Sequence, residues 1–211
     1  MIKCVVFDFD GTLVESNEIK RRVFYEVTED IIGATSVLDE FFSASYSGDR
    51  YNIFDLLIKN LKLSQEDGVS AAYLSSLYTK ICEQRISEAP EVCGAFNILS
   101  ELNRLRVKMF VSSATPTSTL QRIIDMRGWS DLFDGIMGSP DSKEDHLRSI
   151  LFSNNYSLSE VIYIGDSEVD QKAASLIGCK FIGIGKNWNR FDRRPLVLLD
   201  NLEQLIKELE L

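Results

Sequence analysis

Val5-Val6-Phe7-Asp8-Phe9-Asp10-Gly11-Thr12 joins a short apolar run to a pair of acids. An unbroken β-branched and aromatic run such as Val5–Phe7 predicts a parallel strand that is buried on both faces. Asp8 and Asp10 then lie at the carboxyl end of this strand, and Gly11 allows the chain to turn sharply after them. Because two like charges at one strand end repel each other, the pair predicts a bound cation or a shared chemical task.

This acidic stretch has two other interpretations. The acids can be simple turn residues between a strand and a helix, because Asp and Gly favour turns. Asp-x-Asp-Gly also occurs in EF-hand calcium loops, but a loop with Gly11 at the invariant glycine would run from Val6 to Asn17, and both end residues are wrong for calcium. The EF-hand is therefore excluded. Two interpretations remain, a phosphoryl-transfer site and an acidic turn without a chemical role.

Composition and charge exclude several classes of partner. The chain has 211 residues, a formal charge of −9 and a pI near 4.8, which argues against binding the nucleic-acid backbone. No apolar run approaches the roughly 20 residues of a membrane helix. We expect no signal peptide, because Met1-Ile2-Lys3 leads directly into the first predicted strand and acids follow soon after. We therefore expect neither a nucleic-acid nor a membrane partner.

The cysteines and the single histidine argue against a zinc site. The four cysteines are widely dispersed and form no Cys-x-x-Cys pair: Cys4, Cys82, Cys93 and Cys179. We expect each of them to be a small buried residue, and we expect His146 to be a surface or packing residue. Dispersed cysteines are typical of a reducing compartment, so the predicted location is cytoplasmic.

The chain beyond Thr12 divides into two parts. Residues 17 to 86 show the spacing of amphipathic helices, with breaks near Gly33, Gly48 and Ser64. From Pro90 onward, helical segments alternate with apolar runs at 107–111, 133–137, 161–164 and 180–184. This alternation predicts an α/β fold with a parallel sheet. The helical part is then an insertion, which predicts one domain over residues 1–15 and 90–211 and a second over 16–89.

Polar residues follow each of the predicted strands, at the edge where parallel sheets bind ligands. They are Ser113 and Thr115 after the second strand, Lys143 after the third, and Asp166 and Asp170 after the fourth. Each has a structural explanation, since hydroxyls and acids cap helices and most lysines are solvated. Together, a hydroxyl, a lysine and a second acid pair at successive strand ends predict a phosphate site.

These residues resemble a known set of motifs. Asp8-x-Asp10-Gly11-Thr12, Ser113, Lys143 and Gly165-Asp166-x-x-x-Asp170 look like the four motifs of the haloacid dehalogenase (HAD) superfamily. The helical insertion is similar in position to the cap of the phosphoglycolate-phosphatase-like and β-phosphoglucomutase-like branch. The resemblance covers about residues 1–15 and 90–211. It implies a Rossmann-like parallel sheet core with an inserted α-helical cap domain.

The resemblance also implies a mechanism, that of a phosphoric monoester hydrolase. Asp8 would be the nucleophile, Asp10 the general acid and then the general base, and Lys143 the bridge between Asp8 and the phosphate. Mg²⁺ would be bound by Asp8, the backbone carbonyl of Asp10 and Asp166, and Asp170 would either bind the ion directly or, as we favour, hold a metal-bound water. The expected substrate-binding residues are Gly11, Thr12, Ser113, Ala114 and, in the cap, Arg50.

Other functions fit the same residues. A phosphosugar mutase uses the same two acids and differs in its cap. A HAD domain that has lost its catalytic activity and has a regulatory or binding role is a further alternative, although no motif acid is missing. A receiver-like phospho-acceptor domain also clusters acids and a lysine, but Asp-Gly-Thr and the long insertion argue against it. The expected partner is a small phosphorylated metabolite such as a sugar phosphate, phosphoglycolate or a nucleotide monophosphate. The oligomeric state is not indicated.

Overall fold

A parallel sheet forms the centre of the larger unit in the computed structural model, which describes residues 1–43, 50–63 and 69–209. The strands in these residues are β1 (Cys4–Phe7), β2 (Lys108–Pro116), β3 (Gly135–Ser139), β4 (Val161–Gly165), β5 (Lys180–Ile184) and β6 (Leu198–Leu199). They lie in the order β3-β2-β1-β4-β5-β6, and every pair is parallel. The strand order reverses at β1, and sheets of this kind bind ligands at such a reversal.

Helices connect the strands and also make up a second unit. In the described ranges they are α1 (Asn17–Glu26), α2 (Ala34–Ser43), α3 (Arg50–Leu61), α4 (Ala71–Glu88), α5 (Ala95–Arg104), α6 (Thr117–Met126), α7 (Lys143–Asn154), α8 (Glu168–Ile177) and α9 (Leu205–Glu208). The sheet unit contains Met1–Ser16 and Ser87–Leu211, and the helical unit contains Asn17–Ile86. The predicted α/β fold with an inserted helical segment is confirmed.

β1 is a buried strand, as its apolar sequence predicts. All four of its side chains are completely buried. Val6 lies opposite Phe110 of β2 and Tyr163 of β4, and it belongs to a core cluster with Leu147 of α7. Burying an aliphatic or aromatic side chain contributes about 1.5–3 kcal/mol relative to exposure, so β1 is a rigid base for the acids that follow it.

Capping boxes fix where α7 and α8 begin. The Ser142 Oγ accepts the N–H of Asp145 at 3.1 Å, and the Asp145 carboxylate accepts the N–H of Ser142 at 3.4 Å. Ser167 and Asp170 form the corresponding pair at the start of α8. Because these boxes satisfy N–H groups that have no partner inside the helix, α7 starts at Lys143 and α8 at Glu168.

An aromatic cluster holds the helical unit together. The ring of Phe24 on α1 lies 5.1 Å from Phe54 on α3 and 4.4 Å from Tyr78 on α4, measured between ring centroids. Arg85 donates two hydrogen bonds to Glu26, at 2.6 and 2.7 Å, between α4 and α1. This unit therefore has its own apolar core. Two of the predicted helix breaks, near Gly48 and Ser64, lie outside the described residues.

The two segments of the sheet unit meet where the chain enters and leaves residues 17–86. Val14 forms an isolated bridge with Glu91, and the N–H of Glu15 donates to the Pro90 carbonyl at 3.0 Å. The unit boundaries fall at Ser16 and Ser87. The assignment of residues 16–89 as a cap domain stays a prediction.

β2 is longer than the sequence predicts. The apolar run ends at Val111, but the strand continues to Pro116 with a shift of its register against β3 between Ser112 and Pro116. The hydroxyl residues of this segment therefore lie on a strand extension, and α6 begins only at Thr117. The short β6 was not predicted, because two paired residues carry no periodic signal.

Two further expectations concern membranes and thiols. Within the described parts of the chain, no helix is long and apolar enough to cross a membrane. Cys4, Cys82 and Cys179 are buried, as expected, but Cys93 is exposed, so the expectation of burial was wrong for this residue. Cys93 lies in the turn before α5, where its carbonyl accepts the N–H of Leu202 and its side chain is left at the surface.

Candidate active site

Asp8 and Lys143 form a buried ion pair at the carboxyl end of β1. Asp8 follows the strand directly, and its N–H donates to the Ile164 carbonyl of β4 at 2.8 Å. Lys143, the first residue of α7, places Nζ 2.8 Å from Asp8 Oδ1 and 2.5 Å from Asp170 Oδ1. A lysine shared by two buried carboxylates is held in one position, so its charge is preorganised beside Asp8.

Asp170 is fully buried, and both of its carboxylate oxygens have protein partners. Oδ1 accepts from Lys143 and from the Tyr163 hydroxyl, and Oδ2 accepts from the N–H and the hydroxyl of Ser167. Gly165 is required at this point, because a Cβ there would lie 2.4 Å from Asp170 Cγ. Asp170 is therefore placed to hold Lys143 and the start of α8.

Asp166 lies between β4 and α8 and pairs with an arginine. Its side chain is 3% exposed, and its Oδ2 lies 2.5 Å from Nη1 of Arg190, a residue of the segment that follows β5. The Asp166 carboxylate is thus presented at the same edge of the sheet as Asp8.

Asp10 is surrounded by hydroxyl groups. Its Oδ1 accepts from Ser16 Oγ at 2.6 Å, and its Oδ2 accepts from Thr115 Oγ1 at 3.0 Å and from Ser113 Oγ at 3.4 Å. These hydroxyls come from the turn after β1 and from the extension of β2. These hydrogen bonds hold the Asp10 carboxyl group in place. Because Asp10 is only half-buried, the group is still accessible to a ligand.

Ser113 and Ala114 lie on the β2 extension. The Ser113 hydroxyl accepts the N–H of Thr115 at 3.0 Å, which is a local turn contact. Ala114 is exposed, whereas Ser113 is buried. Their predicted contacts with a phosphate stay predictions.

Gly11, Thr12 and Arg50 are placed as follows. Gly11 has φ 80°, and its N–H donates to the Val14 carbonyl at 2.8 Å within the turn. Thr12 is fully buried, and its Oγ1 has no hydrogen-bond partner among the described residues. Arg50 is the first residue of α3 in the helical unit. The substrate-binding roles of all three stay predictions.

Burial dominates the electrostatics of the site. It raises the pKa of Asp8 well above the usual range, Asp170 adds to the rise, and Lys143 opposes it. Burial alone would lower the pKa of Lys143, but the carboxylates of Asp8 and Asp170 outweigh it and hold that pKa well above its ordinary value. Lys143 is therefore a permanent positive charge.

The acids fit a hard divalent cation. Carboxylate oxygens of Asp8, Asp166 and Asp170 lie within 4.8 Å of one another. Oxygen donors of this kind are the ligands that Mg²⁺ prefers in proteins. Since protein donors occupy both oxygens of Asp170, Asp8 and Asp166 are the better candidates for direct ligands. A cation here would also relieve the repulsion that raises the pKa of Asp8.

Several contacts at the site were not predicted from the sequence. The Tyr163 hydroxyl reaches both Asp170 and the Ser112 carbonyl at 3.2 Å. His146 lies on α7 and is buried, with Nδ1 2.9 Å from the Ser112 hydroxyl. The expectation of a surface residue is therefore wrong, and His146 is a packing residue. The sequence contains one indication of a role for Arg190, because it lies close to two other arginines in an acidic chain.

Together, the strand order, the buried cluster of Asp8 and Lys143, and Asp10 two residues after Asp8 define a parallel α/β protein with an acidic site at the carboxyl edge of its sheet. The family model described as haloacid dehalogenase-like hydrolase matches residues 5–184. The chain belongs to this family. The predicted superfamily, the phosphoglycolate-phosphatase-like and phosphoglucomutase-like branch, and the enzyme class, a phosphatase, are confirmed.

Relatives and solved structures agree with this placement. A phosphoglycolate phosphatase of Cereibacter sphaeroides is 30% identical over 185 residues, which are 84% of this chain and 82% of that protein. A predicted phosphoglycolate phosphatase from Haemophilus somnus has a similar structure, with TM-score 0.78, 19% identity and coverage of 98% and 97% of the two chains. The HAD-hydrolase YfnB from Bacillus subtilis bound to magnesium has TM-score 0.74, 18% identity and coverage of 100% and 99%.

Proposed function

We propose that the chain is a Mg²⁺-dependent phosphatase that hydrolyses a phosphomonoester of a small metabolite through an aspartyl-phosphate on Asp8. One observation carries the proposal. Lys143 Nζ lies 2.8 Å from Asp8 and 2.5 Å from Asp170 at the end of β1, and Asp10 follows two residues later. A nucleophile, a fixed positive charge and a proton-exchanging group are thus available at one strand end.

In the first step, a carboxylate oxygen of Asp8 attacks the phosphorus. The new Asp8 O–P bond forms while the bond from phosphorus to the leaving oxygen breaks, and Asp10 gives its proton to that oxygen. Lys143 offsets the repulsion between the anionic nucleophile and the phosphate. The Ser113 hydroxyl and the Ala114 N–H would bind the phosphate oxygens.

In the second step, water cleaves the aspartyl-phosphate. Asp10, now ionised, accepts a proton from the water as its oxygen attacks phosphorus, and the Asp8 O–P bond breaks to release inorganic phosphate. Hydrogen bonds from Ser16 and Thr115 hold Asp10 in one position for both tasks.

Asp8, Asp166 and the backbone carbonyl of Asp10 would hold Mg²⁺. When bound, the ion supplies positive charge that stabilises the transferring phosphoryl group. Asp170 would contribute indirectly, because it positions Lys143. Asp8 itself forms and breaks the bond to phosphorus, and Asp10 transfers the protons.

The names of the relatives suggest 2-phosphoglycolate as the first substrate to test. We propose that residues 16–89 form the cap that selects the substrate and that Arg50 is one of its contacts. A phosphosugar mutase remains the alternative, since it uses the same acids. The cytoplasmic location stays a prediction.

The test compares wild type with Asp8→Asn and a matched control, Asp131→Asn, which removes an exposed acid of the sheet unit. Phosphate release from p-nitrophenyl phosphate and 2-phosphoglycolate is measured with Mg²⁺ and with EDTA. We expect turnover that requires Mg²⁺, that Asp8→Asn abolishes and that Asp131→Asn leaves unchanged. Wild-type-like turnover by Asp8→Asn would refute the nucleophile assignment, and metal-independent turnover would refute the Mg²⁺ requirement.

A further inference from the structure

The segment that follows β5 brings basic side chains to the carboxyl edge of the sheet. Residues 186–194 include four basic residues and one acid, in a chain whose formal charge is −9: Lys186, Arg190, Arg193 and Arg194 against Asp192. Arg190 contacts an acid of the candidate active site, with Nη1 2.5 Å from Asp166 Oδ2.

Phe191, the residue directly after Arg190, fixes this segment to the sheet. Its ring is buried and meets Phe181 of β5 edge to face, with 5.9 Å between ring centroids. Gly183 makes room for it, because a Cβ at that position would lie 2.9 Å from the Phe191 ring. The residue next to Arg190 therefore has a fixed position.

Gln171 fixes the segment again at Arg193, three residues after Arg190. Its side-chain amide donates to the Arg193 carbonyl at 2.9 Å and accepts the Arg193 N–H at 3.3 Å. Gln171 is buried on α8, the helix that begins just after Asp166. Two contacts therefore anchor the backbone directly after Arg190, and they keep the arginine beside Asp166.

The Arg190 side chain has capacity for a second partner. It is 51% exposed, whereas the Asp166 side chain is 3% exposed. A guanidinium group has five N–H donors, and its planar fork matches the oxygens of a phosphate or carboxylate. A divalent ion on Asp166 would compete with the guanidinium for the same negative charge.

We propose that Arg190 is an additional substrate-binding residue that exchanges partners. Its guanidinium pairs with Asp166 in the metal-free enzyme and binds an anionic group of the substrate once a divalent ion occupies Asp166. This inference rests on the proposed phosphatase function. Loss of Arg190 then has opposite effects on two ligands, because it removes a competitor of the metal and a partner of the anion.

The experiment measures two binding constants in wild type, Arg190→Gln and the control Arg194→Gln, which removes the same charge from an exposed position in the same segment. Mn²⁺ binding to metal-free protein is followed by the electron paramagnetic resonance of free Mn²⁺. Binding of inorganic phosphate at saturating Mn²⁺ is then measured by calorimetry. For Arg190→Gln we expect about fivefold tighter Mn²⁺ binding and about tenfold weaker phosphate binding. Arg194→Gln should stay within about twofold of wild type in both.

Equal changes in the two variants would overturn the exchange, because they would reflect only the loss of one surface charge. Unchanged phosphate binding in Arg190→Gln would also overturn it. Arg190→Lys should keep the competition with Mn²⁺ but recover only part of the phosphate affinity, since an ammonium group lacks the planar fork. Both readouts are binding constants, so they are independent of turnover. Failure of the proposed phosphatase function would appear in the Asp8→Asn assay instead.

Discussion

Two buried carboxylates determine the position of the Lys143 side chain. Two carboxylates, at 2.8 and 2.5 Å, hold its Nζ, and the side chain is 9% exposed. Replacing it with methionine keeps most of the volume and removes the charge. We expect Lys143→Met to lower kcat by about 10²–10³, the effect of losing one preorganised electrostatic group. The measurement is steady-state kinetics with p-nitrophenyl phosphate.

Lys172→Met is the matched control for this prediction, because Lys172 is exposed and pairs with Glu168 on the surface of α8. Its kcat should equal that of wild type. A loss of less than threefold in Lys143→Met would show that the lysine charge does not act in the reaction.

His146 predicts a pH dependence of stability. Burial lowers its pKa, with the backbone of Gly138 and the carboxylates of Asp141 and Asp145 opposing and Lys143 adding to the decrease. The folded pKa is then below the unfolded one, so the unfolded chain binds more protons as pH falls. The contribution to stability is complete above the unfolded pKa of about 6.5 and is lost as pH falls through the folded pKa.

We therefore expect the free energy of unfolding to fall between about pH 7.5 and 5.5 in wild type, and to fall less in His146→Asn. Urea denaturation at a series of pH values measures it. The asparagine keeps a polar group near the Ser112 hydroxyl, which His146 Nδ1 approaches at 2.9 Å. Parallel pH profiles of the two proteins would contradict the assignment.

The junction of β4 and α8 depends on a residue without a side chain. A Cβ on Gly165 would lie 2.4 Å from both Cβ and Cγ of Asp170, the acid that holds Lys143 and caps α8. Gly165→Ala should destabilise the fold by about 1–3 kcal/mol, the usual cost of overpacking, and lower kcat as Lys143 loses its position. Thermal denaturation and kinetics measure the two effects. Val169→Ala, in the exposed first turn of α8, should change neither, and a fully active Gly165→Ala would show that Asp170 can move without consequence.

The strands also show which parts of the structure can be predicted from the sequence. β5 has the predicted bounds, Lys180–Ile184, because an apolar run between polar turns is a strong strand signal. The end of β2 was missed, because Ser112–Pro116 is polar and belongs to the sheet only through its pairing with β3. The site follows the same division. Its motif acids come directly after predicted strands, whereas Tyr163 and Arg190 reach the site through tertiary contacts that no local pattern encodes.

At the scale of the whole chain, the reactivity of the cysteine thiols reports how well the folded structure shields them from solvent. Burial raises the pKa of Cys4 to about 12 and that of Cys179 to about 11, and Cys82 is also buried. Only Cys93 is exposed, and desolvation and Glu203 raise its pKa as well. We expect a disulfide reagent to modify one thiol in the native protein, faster as pH rises, and all four in denaturant. Cys93→Ser should leave none reactive, and a second fast thiol in the native protein would contradict the burial of the others.

Residues 17–86 are inserted into the sheet unit between Ser16 and Ser87. Contacts within the sheet unit hold the chain on both sides of this insertion. Glu15 donates to the Pro90 carbonyl at 3.0 Å, and Arg127 donates to the carbonyls of Ser87 and Ala89 at 3.2 and 2.8 Å. A short Gly-Ser linker from Ser16 to Ser87 should therefore close the sheet unit without strain. The proposed metal ligands and Lys143 all remain in the shortened protein.

We expect the shortened protein to unfold cooperatively and to bind Mn²⁺ within about threefold of the full chain, because the affinity follows the set of ligands and the proposed ligands all belong to the sheet unit. Calorimetric unfolding and Mn²⁺ titration measure this. Asp8→Asn in the same background should weaken Mn²⁺ binding, which ensures that the titration reports the acid cluster. If the shortened protein lacks a cooperative transition, the sheet unit does not fold without residues 17–86, and their assignment as an inserted domain would be wrong. If it folds but does not bind Mn²⁺, the metal site needs residues outside the sheet unit, and the ligand set of Asp8, Asp166 and the Asp10 carbonyl is incomplete.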